Sequence, residues 1–235
     1  KTPPSIPDRV KLNEKEATFF IQDIYEGEGT QGVPRGTIKA LRIFAYEYAY
    51  ILAPSDHDAQ GIQSGWDIKR ILGTVPVEED GSALFTIPAN TPISIQPLDK
   101  DGAAIQWMRS WLTGMPGEIV SCVGCHEDQN QIPIPKRTIA SQTKPHRLQA
   151  PEGGVRSFTF DLEIQPILDR ACVACHNEKS HMNLTGGRMD TNYPRFGRPW
   201  SKSYLAIMPY VYRQGAEAEM YVLKPYEYHA SNSEL

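Results

Sequence analysis

All four cysteines of the chain fall within two copies of one five-residue pattern, Cys122-Val-Gly-Cys125-His126 and Cys172-Val-Ala-Cys175-His176. This repeat constrains the fold more than any other feature, because Cys-x-x-Cys-His reads as an attachment site for a c-type haem. Two thiols two residues apart reach the two vinyl groups of one porphyrin as thioethers, and the adjacent histidine falls under the iron as proximal ligand. The pattern therefore predicts two covalently attached haems c, held by Cys122, Cys125, Cys172 and Cys175, with His126 and His176 as proximal iron ligands.

Two other uses of paired cysteines remain open on spacing alone. Structural zinc sites usually have on the order of 15 to 20 residues between their Cys-x-x-Cys units, whereas Cys125 and Cys172 are much further apart. Disulfides form in oxidising compartments. Neither use accounts for a histidine after the second cysteine in both copies.

The chain of 235 residues is long enough for one large or two modest domains. Its formal net charge of -4 argues against a nucleic-acid partner, which calls for a basic footprint. No apolar run approaches the roughly 18 residues of a membrane span, and the first ten residues lack the apolar centre of a signal peptide. Covalent haem attachment takes place outside the cytoplasm. The sequence is thus expected to be extracytoplasmic, in the periplasm or at the cell surface, with a secretion signal removed.

The expected architecture is mainly β plus irregular structure, with a small α-helical cytochrome c-like part. A sandwich-like β domain is read over 1–115, an irregular segment carrying the first haem over 116–157, and a cytochrome c-like domain carrying the second haem over 158–235. Residues 17–25 and 37–50 read as two long strands joined by a loop holding Gly27, Gly29, Gly32 and Pro34. Shorter runs follow, separated by Glu79-Asp80-Gly81 and Asp99-Lys100-Asp101-Gly102, which predict hairpins. Phe44, Tyr46, Tyr48 and Tyr50 recur with period two and share one strand face, as sheet core or as a wall against haem. Between 115 and 158, prolines close off regular structure, and a macrocycle is expected to replace the missing backbone ladder as core. A helix is predicted from Asp161, with Pro166 in its first turn and Ile164, Ile167, Leu168 and Ala171 on one stripe leading into Cys172.

Four histidines remain as candidate distal ligands once the two proximal ones are assigned: His57, His146, His181 and His229. Imidazole or a methionine thioether on the sixth position closes an iron for electron transfer, whereas an open position permits catalysis. For the second haem, His229 and Met208 lie far enough along the chain to return over the distal face, with His229 preferred as the stronger ligand. His181 is too close to His176. For the first haem, His146 is preferred and His57 is the lesser candidate.

The segments Trp66 to Gly81, Met108-Arg-Ser-Trp111, Met115-Pro-Gly-Glu118 leading into the first Cys-x-x-Cys-His, and Gln165-Pro-Ile-Leu-Asp-Arg170 before the second resemble the hydrazine synthase alpha-subunit-like multihaem proteins. The resemblance extends from about Ala17 to the C-terminus. It implies a β-rich middle domain embracing the first haem and a cytochrome c-like domain carrying the second. Longer relatives carry an N-terminal propeller and continue past Leu235, so a fragment is expected here. The resemblance also implies, for hydrazine synthase itself, a tyrosine ligand shortly after the motif histidine. Asn130 stands at the fourth position after His126, and no tyrosine occurs between Tyr50 and Tyr193.

Three functions follow as expectations. The first is a dihaem electron carrier serving redox partner proteins. The second is a haem enzyme for small nitrogen compounds, with an open first iron beneath polar groups such as Asp56, His57 or Arg109. The third is a structural subunit of a homo-oligomer, filament or larger cytochrome assembly.

Overall fold

The computed structural model describes residues 9–46, 69–128, 130, 134–187, 200–212 and 222–235. They form two compact units, one of 9–46, 69–156 and 222–227, the other of 157–187, 200–212 and 228–235.

The first unit is β-rich, and its strands follow from alternation of apolar and polar residues. In β1 (Glu16–Ile21) the buried positions are Ala17, Phe19 and Ile21, and in β2 (Ala40–Tyr46) they are Leu41, Ile43 and Ala45. Period-two burial on one face is what a half-covered strand requires. The strands β3 (Lys69–Pro76), β4 (Ala83–Pro88), β5 (Ile93–Leu98) and β6 (Ile119–Cys122) complete two three-stranded sheets, ordered β4-β1-β6 and β3-β2-β5. Both sheets contribute to one core in which Phe19, Ile21, Leu41, Ile43, Phe85, Ile87 and Ile93 are almost wholly buried. Each such side chain contributes about 1.5–3 kcal/mol on leaving water.

Pairing departs from the expected order in two ways and follows it in one. The first two long strands do not pair, because β1 and β2 lie in different sheets. The tight turn at Glu78–Ser82, closed by Gly81 N–H to the Glu78 carbonyl at 2.9 Å, carries the chain from one sheet to the other rather than closing a hairpin. The Asp99–Gly102 turn does fold the chain back, with Ala104 bridging Leu98.

The segment expected to lack a backbone ladder is also tied by one. It supplies β6, which runs parallel to β1 with Ile21 opposite Cys122. Further on, His146 exchanges backbone hydrogen bonds with Leu84 and Thr86 at 2.8 and 2.9 Å, and Gln149 with Thr74 at 2.9 Å in both directions. Proline removes one donor at a time and leaves its neighbours free to pair, so a proline-rich stretch can still line a sheet edge.

Phe44 and Tyr46 of the aromatic stripe do not enter the sheet core. Since Leu41, Ile43 and Ala45 face inward, Phe44 and Tyr46 lie on the opposite face of β2. There the Lys69 ammonium sits 6.0 Å from the Phe44 ring centre, 5.0 Å from Tyr46 and 4.4 Å from Trp107. Tyr48, Tyr50, Asp56 and His57 lie outside the described residues.

In the second unit a single π-helical turn, Phe160–Ile164, leads into α1 (Gln165–Ala171), and the Thr159 hydroxyl caps it by accepting from Leu162 N–H. Pro166 occupies the first turn of α1, as expected. The buried stripe is narrower than the sequence suggests: Leu168 is buried and Ile164 half-buried, while Ile167 and Ala171 are exposed. Leu168 packs with Leu184 and with Ile207 from α2 (Lys202–Ile207), flanked by Phe160, Ile164, Cys172, Val173 and Met182. The buried Gln165 amide joins these pieces, donating to the Leu184 carbonyl and accepting from the Ser203 hydroxyl. Among the described residues no helix is long and apolar enough to cross a membrane.

Candidate haem-attachment sites

The first Cys-x-x-Cys-His turn begins where β6 ends, and its backbone is bonded throughout to the segment after β1. Gln22 N–H donates to the Cys122 carbonyl at 3.0 Å, and Asp23 N–H to Val123 at 2.9 Å. Cys125 N–H donates to Glu26 at 2.7 Å, Gly29 N–H to Cys125 at 3.0 Å, and Glu28 N–H to His126 at 3.1 Å. His126 itself adopts φ 60°, a left-handed conformation uncommon for a residue with a side chain.

Glycines permit this approach. A Cβ on Gly27 would lie 2.3 Å from the Cys125 carbonyl oxygen, one on Gly124 2.2 Å from that of Glu26, and one on Gly29 2.6 Å from Cys125 Sγ. The loop is held from behind by Gln106, buried, whose Nε2 donates to the carbonyls of Gly29 and Leu223, and by the Thr30 hydroxyl donating to Ile24 at 2.8 Å.

A buried carboxylate anchors the other side. Asp23 accepts from Tyr25 N–H at 3.1 Å and from Arg35 Nη2 at 2.8 Å, with Lys136 Nζ 3.7 Å away. The hydrogen bond to Asp23 holds the Arg35 guanidinium above its usual range.

Both thiols of this site are free. Burial, aided by the Glu127 charge, pushes Cys122 up to about 11; burial, then the neighbouring Cys122 and Glu127, pushes Cys125 up to about 11.

The second turn caps a helix instead of a strand. Cys172 N–H donates to Leu168 at 2.8 Å, closing α1, and the turn is completed by Cys175 and His176 N–H to the Cys172 carbonyl at 3.1 and 2.8 Å. Leu184 N–H returns to the His176 carbonyl at 2.9 Å. Cys172 packs on the small core of its unit, while Cys175 and His176 are exposed, and both thiols are free.

Each turn therefore presents two thiols and one imidazole on five consecutive residues, the donor set that haem c takes. The structure brings Cys122, Cys125 and His126 together in the first unit and Cys172, Cys175 and His176 in the second. Among the described residues no group of three or more His, Cys, Asp or Glu side chains converges as for a bare metal ion.

The distal candidates occupy varied settings. His146 lies beside Phe85 on β4, and Phe85, Phe19 and Val120 are aligned across the sheet. It is thus three strand spacings from Val120, on the order of 14 Å. Its Nε2 faces Glu78 Oε1 at 3.4 Å. His229 Nδ1 accepts from Ser231 N–H at 3.2 Å, so in the neutral ring the proton sits on Nε2. Ligating iron through Nε2 would require that bond to open. Met208, half-buried, continues α2 into a short 3-10 turn, Met208–Tyr210. His181 is exposed.

Sequence reasoning treated Gly27 and Gly29 as loop punctuation and did not single out Asp23, Arg35 or Gln106. The two glycines one residue apart carried the available signal, since close backbone approach is one of the few reasons for such spacing.

Residues 36–127 match a family model described as the hydrazine synthase alpha subunit middle domain. The match runs from before β2 through the first Cys-x-x-Cys-His turn. Among solved structures the chain is similar to a chain of Kuenenia stuttgartiensis hydrazine synthase, with a TM-score of 0.66 and 21% identity over 83% of this chain. This chain spans 33% of that one. At this identity the likeness establishes a shared fold. No curated protein matches the sequence.

Proposed function

We propose that the chain is a dihaem c-type cytochrome that works outside the cytoplasm and passes electrons between redox partner proteins. The observation that carries this reading is the pairing, in each unit, of two free thiols with a histidine on one hydrogen-bonded turn. Haem c supplies a one-electron iron couple when bound. The chain's residues fix where it attaches: Cys122 and Cys125 in a clasped turn at the end of β6, Cys172 and Cys175 at the end of α1. His126 and His176 are the proximal ligands. Met208 and His229 are the distal candidates at the second iron, and His146 and His57 at the first.

A second reading, a haem enzyme for small nitrogen compounds with an open first iron, is favoured by the similarity to hydrazine synthase. A shared fold does not carry an activity with it. The residue that follows His126 by four is Asn130, which cannot serve as a phenolate ligand.

One experiment separates the two. Oxidised and dithionite-reduced spectra are recorded with a pyridine haemochrome count and with carbon monoxide added to the reduced protein. Two low-spin haems indifferent to carbon monoxide support the electron carrier. One high-spin haem that binds it supports the enzyme, and the absence of covalent haem overturns both.

A further inference from the structure

We infer that Gly29 is a positioning residue for the first haem: it fixes Cys125 Sγ so that both thioethers can close on one porphyrin. The inference rests on the haem reading above and goes beyond it. It assigns a role to a residue nearly a hundred positions from the cysteine it controls.

The geometry is specific to this glycine. A Cβ at Gly29 would stand 2.6 Å from Cys125 Sγ and 3.1 Å from the Cys125 carbonyl oxygen, so the thiol occupies the space a side chain would need. Gly29 is not free to move away. Its N–H donates to the Cys125 carbonyl at 3.0 Å, its carbonyl accepts from the buried Gln106 amide at 2.9 Å, and its neighbour Thr30 is pinned to Ile24. Cys125 is equally held, through its N–H to Glu26 at 2.7 Å. A methyl group inserted here must therefore be accommodated by rotation of the thiol, the one unbonded part of the contact.

Rotation of that thiol has a chemical consequence. Each thioether forms when S–H adds across a vinyl C=C, sulfur bonding to the carbon next to the ring and hydrogen to the terminal carbon, with no net change of oxidation state. The first addition needs one thiol within reach. The second needs its thiol at a fixed separation from the first, because the two vinyl groups belong to one rigid macrocycle. The three atoms nearest a Cβ at Gly29 all belong to Cys125, and none to Cys122 at the end of β6. Gly29→Ala is thus expected to leave the Cys122 link and lose the Cys125 link. No comparable dependence on a distant loop is expected at the second site, where the turn is closed by bonds within 168–184.

Gly32 in the same loop provides the control. It adopts φ 82°, so Gly32→Ala strains the backbone, yet nothing lies within 4 Å of its Cβ. The full chain is matured in a host that attaches haem c. It is then denatured, treated with iodoacetamide and digested, and the peptides holding Cys122–His126 and Cys172–His176 are weighed. The pyridine haemochrome is recorded alongside. Gly29→Ala is expected to give a first-site haem peptide with an alkylated Cys125, and a reduced α band moved to the red by the surviving vinyl group. Gly32→Ala keeps both links. Two intact links in Gly29→Ala, or equal loss in the two variants, overturns the inference. If Gly29→Ala carries no haem at the first site, Gly29→Ala/Cys125→Ala decides. Recovery of a single link through Cys122 supports the collision, and its absence overturns it. The haem reading fails separately, in the unsubstituted chain, if neither peptide carries haem.

Discussion

At the scale of single residues, the proposed chemistry rests on six side chains, and their settings differ. Cys125→Ala and Cys175→Ala are each expected to lower the count of doubly linked haems by one, read from the pyridine haemochrome; two doubly linked haems in either variant would defeat the assignment. In the haem-free protein, Cys122 and Cys125 are raised from 9.0 to about 11 in the folded state. The folded chain therefore holds protons that the unfolded chain releases between those values. Stability contributed by each thiol is fully present below pH 9 and falls by about 1.4 kcal/mol per pH unit up to about pH 11. Urea titrations across that window are expected to show the decline in the apo chain and its disappearance in Cys122→Ala/Cys125→Ala. At the second site, Met208→Leu and His229→Ala discriminate the distal ligand. The variant that turns one haem high-spin identifies it, and His229 first has to release Ser231 N–H.

At the scale of elements, the inward faces of the strands were legible in the sequence, because Ala17, Phe19 and Ile21, and Leu41, Ile43 and Ala45, alternate as one covered face demands. Partners were not. The parallel pairing of β1 with β6 joins residues such as Ile21 and Cys122, and no local signal specifies an alignment over that separation. Phe44 and Tyr46 teach a related limit: period two puts side chains on a common face without saying what covers it. The aliphatic neighbours at 41, 43 and 45 claimed the core, and the aromatics took the side where Lys69 meets their rings. Ile167 is exposed for a similar reason, since a seven-residue helix offers room for only one buried row. The Phe19–Phe85 contact, with ring centres 5.7 Å apart, ties β1 to β4 at the centre of the core. Phe85→Ala is expected to cost about 3–5 kcal/mol by denaturant unfolding. A loss below about 1 kcal/mol would mean the site collapses freely, contrary to its packing.

At the scale of the whole molecule, the two Cys-x-x-Cys-His turns were legible because each lies within five consecutive residues, whereas the loop that clasps the first was not. Its hold on Cys125 is made by backbone groups, which every residue type but proline possesses in full, and only the glycines betray it. The likeness to hydrazine synthase is one of fold, over 33% of that larger chain. The first unit is also discontinuous, and the returning segment matters to it. Leu223 is buried there, its carbonyl accepts from Gln106, and Tyr226 N–H donates to Ile105 at 2.8 Å. Stopping the chain at Tyr212 removes one of the two acceptors of the Gln106 amide and the donor to the Ile105 carbonyl. The expected loss is about 1–3 kcal/mol in the unfolding of the first unit, followed by tryptophan fluorescence. An unchanged transition would show that the return is dispensable.

That return sets a schedule. Chain emerges from its N-terminus, so the second turn is bounded early by short-range bonds between 168 and 184. The clasp of the first turn, at 22–29, precedes it in the chain, but the Gln106 brace behind that clasp waits for Leu223, 117 residues later. Contacts of long sequence separation form after local ones. The site written first is thus the last to receive its full support.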